Sequence, residues 1–109
     1  MAVETILPNW LFAPTSPPEV KRRVQDDFLK YAPEFAVKAL EPLYKMDVQN
    51  FAKEVSVPVR AINSDFQGTN KEVNQKYFKD YDVHIIKGTG HYPMLEDAKA
   101  FNSILLNLV

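Results

Sequence analysis

The sequence predicts an α/β chain: a helical first half, residues 1–55, then a parallel β-α-β-α unit over residues 56–109. Three observations carry that reading. Up to Val55 the apolar residues recur at three- and four-residue spacing, the period of a helix with one buried stripe. At Ser56 the period changes to two short β-branched runs, Val57–Ile62 and Val83–Ile86, separated by a helical pattern. Finally, Gly68, Gly88 and Gly90 all follow those two runs, where a chain leaving a strand needs backbone freedom. Strand, helix, strand at this spacing gives a right-handed crossover between parallel strands.

Taken in order, the stretch from Ile6 to Pro14 is aromatic and broken by prolines, and it reads as an irregular arm that needs a surface to pack against. Ser16-Pro17-Pro18-Glu19 has capping-box spacing with proline at the first helical position. The helix so opened places Val20, Val24, Phe28 and Tyr31 on one stripe, and the cluster Lys21, Arg22 and Arg23 reads as a solvated face. A second helix from Pro33 is expected to bury Phe35, Ala36, Ala39, Leu40 and Leu43, with a kink or early stop at Pro42. Asp47 is expected to cap a short third helix carrying Val48, Phe51, Ala52 and Val55. After the first strand, Thr69-x-x-Glu72 offers another capping box, for a helix burying Val73, Tyr77 and Phe78. His84 lies inside the second strand and reads as structural. Asp97 caps the last helix, with Phe101, Ile104, Leu105, Leu108 and Val109 at helical spacing.

Composition narrows the function classes. Of 109 residues, 46% are hydrophobic and 25% charged, which are ordinary globular values. A net charge of −1 gives no electrostatic ground for a nucleic-acid partner. No apolar run approaches the roughly 18 residues that span a bilayer, so no membrane partner is expected either. Met1-Ala2-Val3-Glu4 lacks the basic flank and apolar core of a signal peptide, which makes the cytoplasm the expected compartment. The absence of cysteine excludes disulfides, a thiol nucleophile and zinc–thiolate sites. Two histidines, one of them in a strand, are a poor basis for a metal site.

The chemistry concentrates in Gly88-Thr89-Gly90-His91-Tyr92-Pro93-Met94-Leu95-Glu96. This stretch presents His91 on a tight loop at a strand's end, where functional groups collect in open α/β sheets. Asp65 stands in the turn after the other strand. By residue type alone, His91 is more often a satisfied turn residue than a catalyst, and Asp65 equally bonds its own backbone. Glu96 either contributes to the histidine loop or serves only as a helix-start carboxylate favoured by the dipole, which explains it adequately. Tyr92 and Met94 either line a pocket mouth or pack beneath neighbouring helices.

The pattern Gly-x-Gly-His-x-Pro-x-x-Glu, followed by Phe101-Asn102, resembles the catalytic-histidine segment of the α/β-hydrolase family, and the resemblance spans roughly Val48 to Val109. It implies that His91 takes a proton from a serine hydroxyl and returns one to the leaving group. Asp65 is the implied acid, although Asn63-Ser64 is a shorter lead-in than the family shows. Residues 1–55 resemble the family's helical lid. The nucleophile elbow Gly-x-Ser-x-Gly occurs nowhere, and Ser16, Ser56, Ser64 and Ser103 lack flanking glycines. The resemblance therefore implies the carboxyl-terminal portion of a hydrolase acting on an ester, lactone or related carbon-centred substrate, with no cofactor and no activity alone. The rival expectation is a non-catalytic module that binds a partner or itself. Two strands leave both edges open, and the strand faces carry Val57, Val59, Ala61, Ile62, Val83, Ile85 and Ile86. A homo-oligomer formed by sheet extension or segment exchange, or union with the missing half, is expected.

Overall fold

Two parallel strands organise the second half of the chain. β1 (Val59–Ser64) and β2 (Tyr81–Ile86) run in register, with Val59 opposite Tyr81 and Ser64 opposite Ile86. The structure, a computed structural model, describes Thr5 and residues 7–109, so the part of the amino-terminal arm at Ile6 lies outside the described residues. The helices are α1 (Leu7–Leu11), α2 (Pro18–Leu29), α3 (Pro33–Lys45), α4 (Val48–Glu54), α5 (Lys71–Tyr77), α6 (Pro93–Glu96) and α7 (Ala98–Leu108). Among the described residues this is a mixed α/β structure, with helices and no strand from Leu7 to Glu54 and a β-α-β-α order after it. No helix among the described residues is long and apolar enough to cross a membrane.

Side-chain capping decides several boundaries. Asp47 accepts from the Asn50 amide at 3.2 Å and Asp97 from the Ala100 amide at 3.0 Å, as their positions predict. Two other caps differ from expectation. Asn70, not Thr69, caps α5, accepting from Val73 N–H at 3.0 Å, while the Thr69 hydroxyl accepts from Asn63 Nδ2 at 2.7 Å. Helix α2 has Pro17 at its N-cap and no side-chain cap, because Ser16 is engaged elsewhere. The arm is not wholly irregular: its first part forms the single turn α1, and Phe12 to Ser16 continue as a strap. Pro42 does not stop α3, which runs on to Lys45. The carbonyl that proline leaves without a donor lies on an exposed helix, where water can satisfy it.

The core is small and lies at the strap. Phe12, Val20 and Val24 form its centre, with Leu11, Tyr92 and Leu95 packed against them. Phe12 and Tyr92 have ring centroids 6.1 Å apart. Helix α7 packs on both strands, α6 on β1, and α5 on β2 and α4. The covering is partial: most residues of β1 and β2 are half-buried, Arg60 and Ile85 are exposed, and Val57, just before β1, is 64% exposed. Helix α3 also departs from expectation, since none of its residues is buried. Its apolar stripe is present, and among the described residues no element buries it. The radius of gyration, 15.9 Å, exceeds the roughly 13 Å of a compact chain this long.

Candidate functional site

Parallel pairing brings the two carboxyl ends together. Ser64 and Ile86 are register partners, so the loops that follow them leave the sheet side by side. The β2 loop turns sharply at Gly88, whose φ of +74° is a conformation that side-chain-bearing residues rarely adopt. The Thr89 hydroxyl donates to Ile86 O at 3.0 Å and stabilises that turn. Asp65, the first residue after β1, accepts from Gly88 N–H at 3.0 Å and ties one loop to the other.

A third segment completes the arrangement. The strap crosses beneath the His91 loop, and His91 N–H donates to Leu11 O at 2.6 Å. The Thr15 hydroxyl donates to Gly88 O at 2.6 Å, and Gln67 Nε2 donates to Trp10 O at 2.7 Å. Gly90 is the point of closest approach. A Cβ there would lie 2.5 Å from Leu11 O and 2.9 Å from both Ala13 N and Phe12 Cα, all of them backbone atoms. Gly88 is therefore required by its dihedral angle and Gly90 by its neighbours.

One carboxylate holds this crossing. Glu96 Oε2 accepts from Gly90 N–H at 2.8 Å and from the Ser16 hydroxyl, while Oε1 accepts from Tyr92 N–H at 3.3 Å. Ser16, itself buried, also accepts from Ala13 N–H at 2.9 Å. Burial pushes the Tyr92 phenol above its ordinary value. Glu96 thus does contribute to the histidine loop, one of the two readings its position allowed, whereas sequence reasoning missed its partnership with Ser16. A signal existed in Pro17-Pro18: with Ser16 as N-cap, proline at the second helical position would remove one of the two amides such a cap can serve.

A cavity of about 240 Å³ opens at the strand ends, lined among others by Ile62, Ser64, Gln67, Thr69, His91 and Met94. The His91 imidazole stands exposed at its wall, edge-on to Tyr92 with centroids 5.1 Å apart. Both predicted site residues therefore occupy adjacent loops, but no hydrogen bond joins the Asp65 carboxylate to the imidazole. The carboxylate is turned instead to the Gly88 amide. Chemically, the cavity offers an imidazole able to exchange a proton, the hydroxyls of Ser64 and Thr69, and an apolar side at Ile62 and Met94. Among the described residues no three potential metal-ligating side chains cluster. No family model matches this chain, and neither the curated proteins nor the solved structures contain a match to it.

Proposed function

We propose that this chain carries the acid–base half of an α/β-hydrolase active site and belongs to its carboxyl-terminal portion. In this reading Asp65 is the acid and His91 the base for serine-dependent hydrolysis of an ester, lactone or related carbon-centred substrate. The supporting observation is the Asp65–Gly88 bond, which fastens the loop bearing the carboxylate to the loop bearing His91 at the same end of two parallel strands. His91 takes the proton of the attacking serine and passes it to the leaving group. Asp65 holds the tautomer of the imidazole. The small-molecule substrate occupies the cavity beside His91, and the helical first half acts as the lid.

The nucleophile comes from outside these residues. Ser16 is buried and engaged with Glu96, and no serine here sits on a Gly-x-Ser-x-Gly turn. Sequencing the transcript upstream of the Met1 codon tests the reading. An in-frame Gly-x-Ser-x-Gly element there supports it. A transcript that encodes no such element on any frame overturns it.

A further inference from the structure

We infer that the exposed apolar face of α3 is a self-association surface, seating α3 of a second copy antiparallel across Ala36 and Ala39. The inference goes beyond the acyl-transfer reading and stands independently of it. Its starting point is area. The chain exposes 8296 Å², against about 6,200 Å² for a compact monomer of 12.5 kDa. The difference, about 2,100 Å² over the whole chain, leaves more than the roughly 800 Å² that each partner contributes to a standard interface.

One continuous stretch of the uncovered surface runs along α3 and into α4. Every residue from 33 to 51 is exposed, including Phe35 at 65%, Leu40 at 49% and Leu43 at 56%. At 3.6 residues per turn, Phe35, Ala36, Ala39, Leu40 and Leu43 fall within an arc of about 140°. Glu34, Lys38, Glu41 and Lys45 fall within about 60° on the opposite side. Lys45 and Glu41 pair with each other at 2.6 Å. Covering the apolar arc therefore desolvates none of these charges.

The pattern along the helix selects the occupant. Ala36 and Ala39 at the middle allow two helix backbones to approach closely. At 1.5 Å per residue, Phe35 and Leu43 lie about 6 Å to either side of Ala39. An antiparallel crossing thus sets Phe35 of each copy against Leu43 of the other, the self-complementary arrangement a two-fold axis requires. A net charge of −1 sets little repulsion between copies. In a two-stranded sheet β1 and β2 are each an edge, and pairing through those edges is the alternative that the experiment separates.

The absence of cysteine makes the test direct, since Ala39→Cys introduces a single thiol beside the proposed axis. Sedimentation equilibrium of the wild-type chain is expected to give twice the 12.5 kDa of one copy. Leu40→Glu should yield a monomer with an unchanged circular dichroism spectrum, because α3 has no buried residue to disturb. Under mild oxidation, Ala39→Cys should cross-link nearly completely, whereas Lys38→Cys, on the charged side, should not. A wild-type monomer at high concentration overturns the proposal, as does covering of the face by a different protein alone. A dimer that survives Leu40→Glu and cross-links equally through either cysteine overturns it too, and points to the strand edges.

Discussion

Replacing Glu96 with alanine removes the single acceptor on which the Ser16 hydroxyl, Gly90 N–H and Tyr92 N–H converge. A hydrogen bond to a charged group contributes about 1.5–3 kcal/mol, and a buried donor left unsatisfied costs about 1–3 kcal/mol. The Tyr92 bond, at 3.3 Å, is the weakest of the three. Water reaches part of this site, so full addition would overstate the loss, and Glu96→Ala is expected to cost about 3–5 kcal/mol. For a domain of this size that lowers the melting temperature by more than about 10 °C. Glu96→Gln should cost less, since its one remaining oxygen can still serve Gly90 and Ser16. Urea titration followed by circular dichroism gives these values, and a cycle with Ser16→Ala isolates the pair, with coupling of about 0.5–3 kcal/mol expected. A Glu96→Ala variant within about 0.5 kcal/mol of wild type, or strict additivity with Ser16→Ala, would refute the reasoning.

Three further outcomes follow from the same geometry. Gly90→Ala forces a methyl into the strap backbone and should destabilise by about 1–3 kcal/mol or more, read by thermal unfolding; an unchanged midpoint would show that the strap does not press on Gly90. Lys71 and the Val83 amide hold Asp82 below the usual carboxylate range, and Arg60 does the same for Asp80. Their stabilisation is present above the unfolded value of about 3.9 and fades as pH falls through the lower folded values, so Asp82→Asn should flatten the acid limb of a stability–pH curve. The chain alone should neither turn over a fluorogenic ester nor react with a fluorophosphonate. Turnover lost in His91→Ala but kept in every serine-to-alanine variant would demand a different nucleophile.

The strands and most helices were legible because their signals are local. The β-branched runs, the glycines behind them and the aspartates at positions 47 and 97 act within a few residues of themselves. What escaped was long-range. Ser16 and Thr69 both stand where a capping residue belongs, yet each hydroxyl pairs outside its helix, Ser16 with a carboxylate 80 residues away. A short polar side chain has the same chemistry for either use, and spacing alone cannot separate them. Glu96 was hidden by the same ambiguity, since a carboxylate in a first helical turn is already favourable there. Asp65 and His91 were located by their strands, but the direction of the Asp65 carboxylate depends on the Gly88 amide, which only the folded loop presents.

Periodicity reports that a helix face favours burial, and it is silent on where the cover comes from. On α2 the stripe at Val20 and Val24 meets Phe12 of the strap, a partner from the same chain. On α3 an equally regular stripe stays exposed, with no residue buried by the rest of the described chain. The difference lies at the root of the helical arm. Thr15 fastens the strap to the β2 loop and Ser16 fastens it to Glu96 of α6, just before α2 begins, and α2 runs off that anchorage. Packing is therefore strongest at the first turns of α2, and Phe28 and Leu29 at its far end, with Tyr31 just beyond it, are already exposed. A perturbation at Glu96 acts on the anchorage and should loosen α2 together with the His91 loop. One at Leu40 acts beyond it and should leave both unchanged. Amide exchange at Val24 and Gly90, measured in the two variants, separates the effects: joint acceleration at both sites in Glu96→Ala alone is the expected result, and acceleration in Leu40→Glu would show that α3 supports the core after all.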